Sequence, residues 1–545
     1  AAMERKNEVI TDLFQGNGFV ELGILKNLIF RSTFGVQVSN QRTGNYVSKE
    51  LVEGRNFGGV GSIAAHKNTN LINENFLTYT QTFHEDHNLN AMAGYSYQSS
   101  RNETWQANNR NFISDSFSYW NLGAGSNYQN ASSNLEDWVM SSFYGRLNYN
   151  YKNRYFITAT GRYDGSSKFG DNNKWAFFPS GALAWNLSQE PFMKSIDWLS
   201  NLKLRTSYGE TGNSEIGSYQ SLARFSPTLT TMGGSPVNAV RPTNVANPNL
   251  TWETTKQTDA GLDIGILKSR INLSVDYYYK KTINLLYQVP LPLYSGFTTA
   301  LQNVGSVQNK GWEFGLQTTN LNGAFGWKTD FNISFNRNKI LQLPGGEIRY
   351  NTIPGHMLST DSQLLREGEV LGAFFGWVTD GIYQQGDDFS AQPNKKPGDI
   401  RYKDLFGRDK NNQLIAGANG VVNADDRTII GNPNPDFTFG FNNDFKYKNF
   451  DLNIFMQGSY GNDMLNITRM ELDWMAGKGN ATKDALRRWT PENTNTDIPR
   501  ASSTNNPEVS SRWVEDGSYL RLKNLALGYN FSEKSLEKIH LKYLR

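Results

Sequence analysis

Cysteine is absent from all 545 residues, which excludes a disulfide scaffold and any thiol chemistry. Histidine is scarce, at five residues, and no zincin, nucleophile-elbow or P-loop pattern occurs. No catalytic constellation is therefore found, and an enzyme is not expected. Long apolar runs are missing too: nothing reaches the roughly 18 residues that a transmembrane helix needs. The opening Ala1-Ala2-Met3-Glu4-Arg5-Lys6 has no apolar core of a signal peptide. Neither of these last two absences speaks against a β-barrel, which satisfies its backbone between strands and shows only weak alternation in each. The net charge of +3 argues neither for nor against nucleic acid, and no nucleic-acid partner is expected. No stretch has the composition of an interdomain linker.

What is abundant points one way. Aromatics make up 13% of the chain, glycines number 50, and the mean hydropathy is nevertheless a polar −0.58. A soluble β-sandwich core would favour Val, Ile and Leu, whereas this chain favours Tyr, Phe, Trp, Asn and Gly. Residues 141–164 show how these are used. Phe143, Gly145, Leu147, Tyr149 and Tyr151 fall on one side of an extended chain, and Tyr144, Arg146, Asn148 and Asn150 on the other. After a turn at Lys152-Asn153 the alternation resumes, with Tyr155, Ile157, Ala159, Gly161 and Tyr163 opposite Phe156, Thr158, Thr160, Arg162 and Asp164. This predicts a long hairpin with one apolar and one polar face, its strands longer than a soluble sheet commonly uses.

Variants of that hairpin recur. The pattern predicts strands over 17–25, 28–39, 70–83, 88–106, 175–187, 201–211, 250–265, 269–281, 308–321, 325–338, 436–447, 450–460 and 517–531, the last with a bulge between Leu522 and Leu525. Loops are expected over 40–69, 107–137, 212–249, 339–434 and 461–516, with short helices near 463–475 and 481–489 in the last. A further strand is expected to begin at Ile539. Short turns at 26–27, 84–87, 151–153, 188–200, 266–268, 322–323, 448–449 and 532–538 alternate with the long segments. A transmembrane barrel with short periplasmic turns and long outer loops predicts that rhythm, and about sixteen strands are within its range. The expected fold is all-β, a large antiparallel transmembrane β-barrel.

Several motifs carry a family resemblance. They are Ser207-Tyr208-Gly209-Glu210-Thr211-Gly212-Asn213, Asn247-Pro248-Asn249-Leu250-Thr251-Trp252-Glu253 and Asn309-Lys310-Gly311-Trp312-Glu313. Further along come Ile430-Gly431-Asn432-Pro433-Asn434-Pro435-Asp436, Arg488-Trp489-Thr490-Pro491-Glu492-Asn493 and Gly517-Ser518-Tyr519-Leu520-Arg521-Leu522-Lys523-Asn524. In this order the chain resembles the SusC/RagA family of TonB-dependent outer-membrane transporters over nearly its whole length. The resemblance implies a barrel of about 22 strands in the outer membrane of a Gram-negative, Bacteroidota-like cell. It implies import of a large nutrient, an oligosaccharide or a peptide, driven by the TonB complex, with a SusD-like lipoprotein over the mouth. The plug domain, TonB box, N-terminal extension, about five leading strands and a closing strand of that family find no counterpart in residues 1–545. The chain is thus expected to be an incomplete barrel. The alternatives are a passive porin or adhesin, and a secreted β-rich glycan-binding or glycan-cleaving protein.

Within that frame, Tyr149, Tyr155, Trp175, Trp185, Trp312, Trp327 and Tyr460 are expected to face lipid as interfacial girdles. Arg146, Asn148, Arg162, Asp276, Lys328 and Asp330 are expected to line the lumen. Sugars and peptides stack and hydrogen-bond, so Trp105, Tyr119, Trp120, Tyr128, Trp474 and Trp489, in or near long loops, are candidate ligand contacts. Packing of loops on one another or on the lipoprotein is the alternative for each. Near Asp404, the run Asn419-Gly420-Val421-Val422-Asn423-Ala424-Asp425-Asp426 stands where relatives carry a calcium-loop-like segment, making Asn419, Asn423 and Asp426 weak calcium candidates. Ile415 and Gly417, at the first and third loop positions, supply no side-chain oxygen. His84-Glu85-Asp86-His87 lies in a turn, where polar residues are the default.

Overall fold

The computed structural model describes residues 4–350, 361–475, 479–503, 508–532, 537 and 544–545. The expected turn at 532–538 falls largely, and the strand start at Ile539 entirely, outside these. The fold is all-β. Fifteen strands follow one another in chain order in one large antiparallel sheet, and the short strand Gly125–Tyr128 joins it as a sixteenth by pairing with His87–Phe112. Among the described residues no helix is long and apolar enough to cross a membrane.

Two compact units make up the chain. The first comprises Ala1–Asn186, Thr206–Lys256 and Asn284–Asn303. Its long strands are Arg5–Leu25, Leu28–Val47, Val60–Phe83, His87–Phe112, Ser132–Tyr151, Tyr155–Ser166 and Trp175–Asn186. Registers run without a slip through Val60–Phe83 and His87–Phe112, from Val60 opposite Arg110 to Phe83 opposite His87. The turn between them takes positive φ at His84 and Glu85, and the next takes it at Lys152 and Asn153. The first four strands are longer than the sequence pattern predicts. Residues 40–47 and 60–69, expected as loop, are strand, as are 5–16 and 107–112. Two further hairpins stand in long loops of this unit, Phe225–Met232 with Ser235–Pro242 and Leu286–Pro290 with Thr299–Asn303.

The second unit comprises Leu187–Arg205, Gln257–Ile283 and Val304–Arg545. Its long strands are Ile271–Ile283, Ser306–Leu321, Phe325–Gln342, Phe437–Tyr447, Phe450–Tyr460 and Tyr519–Tyr529. The expected bulge is present: Phe455 pairs with Asn524 and Met456 with Leu522, leaving Lys523 over. The loop expected over 339–434 holds short strands of its own, among them Ala373–Gly376 and Thr428–Gly431. The 461–516 segment holds the helix Ile467–Leu472 and the 3-10 turn Lys483–Arg487.

Among the described residues neither unit has a large central apolar core. Fully buried side chains gather in small clusters under the loops: Tyr46, Phe112 and Tyr119; Phe169, Phe178, Leu250 and Trp252; Met470, Val509 and Trp513. The apolar face of the sheet stays open. Phe143, Phe177, Leu183 and Ile157 are 53%, 59%, 56% and 45% exposed.

Candidate functional site: two sheet faces and the long loops

Register places the apolar residues of the first unit in rows. Leu147 stands opposite Ala91 and Ala159, and Ile157 opposite Tyr149 and Leu183. Aromatic belts bound this band on both sides. Beside the short turns, Tyr151, Tyr155 and Trp185 stack at 6.3 and 6.2 Å between centroids, and His87 packs on Tyr151 at 4.6 Å. Toward the long loops, Tyr163 and Phe143 lie against Trp175 at 5.0 and 6.1 Å. His87 also bonds the Tyr149 hydroxyl through Nδ1 at 2.6 Å. The alternation of residue types does not reveal that pairing.

The second unit repeats the arrangement. Phe437 packs on Tyr460 at 5.2 Å at the loop ends of their strands, and Trp312 packs on Tyr277 at 4.9 Å further along theirs. Trp327 and Phe445 stack at 5.7 Å at the turn ends. Trp327 is only half-exposed, because its indole N–H donates to Asn443 Oδ1 at 2.9 Å, a polar group on the apolar face. Strand register sets Tyr149, Tyr155, Trp175 and Trp185 on one face of the first unit's sheet, and Trp312, Trp327 and Tyr460 on one face of the second unit's.

The opposite face is polar and cross-linked. Asn148 accepts from the Thr158 hydroxyl at 3.0 Å, and Arg162 donates to Asp164 and to Ser142 Oγ, each at 2.8 Å. In the second unit Arg205 holds Asp263 through two parallel bonds of 2.8 and 2.9 Å and reaches Asp276 at 3.0 Å. One guanidinium between two carboxylates leaves that site with one negative charge. Asp263 and Asp330 line a cavity of about 320 Å³ with Asn201, Asn272, Gln317 and Asn332. Arg205 and Asp263 are missing from the sequence-based set. The signal was there, because Lys203 and Arg205 alternate with Leu202 and Leu204 on the strand Leu199–Asn213.

The loop aromatics separate into two kinds. Tyr119 is buried against Tyr46 and Phe112, and its hydroxyl donates to Glu8. Trp489 is 6% exposed, its indole N–H on Gln384 Oε1 at 2.9 Å, and Gly398 packs directly against its ring. These two are loop anchors, which corrects the expectation that they offer a stacking surface. Trp105 sits within the strand His87–Phe112, not in a loop, and is 45% exposed. Trp120 and Tyr128 are open, at 61% and 74%, with Arg42 lying 5.0 Å from the Trp120 ring centroid. Trp474 is half-buried just after the helix Ile467–Leu472.

The loops of the second unit close over Met470, Val509 and Trp513. Burial raises the Tyr402 hydroxyl far above its ordinary pKa and lowers the Arg512 guanidinium below its own. Glu515 is held below the usual carboxylate range by hydrogen bonds from Asn466 and Arg469.

The calcium candidates do not converge. Asp426 is fully buried and accepts the backbone N–H groups of Leu405, Phe406 and Asn423 at 2.6, 2.9 and 2.8 Å. Asn423 accepts from Asp425 N–H and Asn419 from Val421 N–H, while Asp404 accepts from Asn419 and Gly420. Carboxylate and amide oxygens here are spent on the chain's own turns. Among the described residues no group of three or more His, Cys, Asp or Glu is placed to hold a metal.

The motifs also prove to be packing devices. Trp252 packs at a tilt on Phe169 at 4.7 Å and edge-on to Phe178 at 5.5 Å, and donates to the Lys174 carbonyl at 3.1 Å. Asn434 accepts from Asn338 at 2.8 Å, and Asp436 pairs with Arg337 at 2.8 Å.

With this geometry in hand, comparison with known proteins is informative. The family model "TonB dependent receptor-like, beta-barrel" matches residues 20–424. TonB-dependent receptor P3 of Formosa agariphila is 42% identical over 550 residues, spanning 100% of this chain and 53% of the relative. TonB-dependent receptor SusC of Bacteroides thetaiotaomicron is 32% identical over 407 residues, 72% of this chain and 38% of the relative. Among solved structures, the RagAB peptide transporter superposes with a TM-score of 0.84 at 27% identity, covering 98% of this chain and 57% of the other. The chain thus spans about half the length of the full-length relatives it matches. By sequence and by fold alike, the chain belongs to the TonB-dependent receptor family, in its SusC/RagA branch.

Proposed function

We propose that this chain forms most of the wall of an outer-membrane importer that takes up a large nutrient, an oligosaccharide or a peptide, by TonB-driven opening. The observation that carries the reading is the open apolar band between two aromatic belts, repeated in each unit and backed by a cross-linked polar face. Water penalises so much contiguous exposed apolar surface, and acyl chains remove the penalty. The polar face then encloses the aqueous path, and the long loops stand outside under a SusD-like lipoprotein.

The test is uptake of fluorescent oligosaccharide and oligopeptide by cells with and without the gene, before and after a protonophore. Uptake lost on deletion and on de-energising the inner membrane is expected. Uptake that survives the protonophore would make the protein a passive pore.

A further inference from the structure

Beside the two loop hairpins of the first unit opens a cavity of about 510 Å³, within the range of small-molecule sites, about 300–1,000 Å³. Two cationic side chains, Arg224 and Arg241, line it. Their convergence follows from register. Arg241 pairs with Ser226 across the hairpin, and Thr243 N–H donates to the Arg224 carbonyl at 2.8 Å, extending the ladder by one pair. Arg224 and Arg241 are therefore diagonal neighbours on one hairpin face, less than about 8 Å apart at Cβ and within joint reach of one ligand group.

The charge balance is unusual. Residues 216–252 contain no Asp or Glu, and residues 284–303 contain no charged residue at all. Among the described residues no carboxylate pairs with either arginine. Arg224 Nη2 donates only to Gln220 Oε1, at 3.1 Å, while its backbone N–H is fixed by Asn244 Oδ1 at 2.8 Å. Two like charges on one hairpin face repel unless an anion lies between them. The rest of the lining suits a sugar: Gln220 and Gln288 offer planar amides, Thr298 a hydroxyl, and Phe297 a ring face for stacking.

We propose that this cavity binds an anionic oligosaccharide, its carboxylate or sulfate group held by Arg224 and Arg241. Guanidinium forks match both anions bidentately. The proposal rests on the reading that these loops face the cell exterior and sharpens it to a substrate class.

The experiment uses the full-length receptor purified in detergent and the R224Q/R241Q variant. Calorimetric titration compares four probes of similar length: an oligogalacturonate, a sulfated galactan oligosaccharide, a neutral malto-oligosaccharide and oligo-glutamate. Wild type is expected to bind at least one of the two anionic saccharides, more weakly as salt rises, and the double variant at least about tenfold more weakly. Equal binding by both proteins, no anionic saccharide binding, or tighter binding of oligo-glutamate than of either anionic saccharide would each overturn the assignment. A separate arm tests the underlying topology. Tyr294, 92% exposed in the second hairpin loop, is changed to Cys and challenged with an impermeant maleimide on intact cells. Labelling without saccharide binding overturns the site alone, and absence of labelling overturns the topology beneath it.

Discussion

Replacing Leu147 by Arg tests the membrane reading at its physical root. Leu147 is 43% exposed and stands between Ala91 and Ala159, small neighbours that leave room for a longer side chain. Along its strand it lies midway between Phe143 and Tyr151, one in each aromatic belt. Trp175 and Trp185 mark the same two belts on another strand. At about 3.3 Å per residue they are about 33 Å apart along the strand. A tilt of about 40° reduces this to about 25 Å along the membrane normal, the height of the lipid-facing band in such barrels. On the proposed reading Leu147 stands at the bilayer midplane, where an arginine costs about 2–4 kcal/mol. On a water-exposed face the same change is worth about 0.5 kcal/mol or less. The assay is denaturant unfolding of the full-length receptor refolded into phosphatidylcholine vesicles, with Leu147→Ala as the reference for lost side-chain contact. Asn148→Arg, one residue on and facing the other way, loses only neutral hydrogen bonds of about 1 kcal/mol each. Equal unfolding free energies for Leu147→Arg and Leu147→Ala would refute the assignment of this face to lipid.

Four other outcomes follow from the loops. Trp252→Ala removes a ring that is 3% exposed and held by two aromatic neighbours, so a loss of about 3–5 kcal/mol is expected. Hydrogen exchange should rise in 167–174 and 243–252 while the adjoining strands stay protected. Asp426→Asn trades a carboxylate that satisfies three backbone N–H groups for an amide, at a cost of about 1–3 kcal/mol in local stability. Chelation with EDTA should leave the thermal transition of the wild type unmoved, and a lowered transition would restore calcium to this loop. Glu515 has a depressed folded pKa, so its stabilisation is complete above the ordinary glutamate value and fades as pH falls through the lowered one. Exchange across 466–473 should therefore be faster in Glu515→Gln than in wild type at pH 7, with the difference gone in acid.

How far the sequence could be read follows from where the alternation of residue types comes from. Residues 143–163 are legible because one face carries apolar and the other polar side chains, and that contrast has a period of two. The contrast ends where a strand continues beyond the aromatic belt. Residues 40–47 read Asn-Gln-Arg-Thr-Gly-Asn-Tyr-Val, polar on both faces, yet they pair in strict register with 60–67. Backbone hydrogen bonding there needs no apolar partner, so it leaves no periodic mark in composition. The same reasoning hides the hairpin Phe225–Met232 with Ser235–Pro242, whose Leu229, Met232 and Val240 are each more than 70% exposed. Only its Gly233-Gly234 turn, with positive φ at both glycines, is a sequence signal, and it lies inside a segment otherwise read as loop.

A similar distinction separates what names the family from what the chain recognises. Trp252, Trp489, Asn434 and Asp436, all within family motifs, are engaged with this chain's own loops through ring packing, an indole N–H, an amide and an ion pair. Groups so occupied are unavailable to a ligand, because each fixes a loop base. Recognition has to come from side chains that the loop bases present but do not consume. Arg224, Arg241 and Tyr128 meet that condition, and none of them lies in the motifs that carry the family resemblance. Family membership is thus legible from a single sequence while the substrate is not: the first is written in packing constraints, the second in the few residues those constraints leave free.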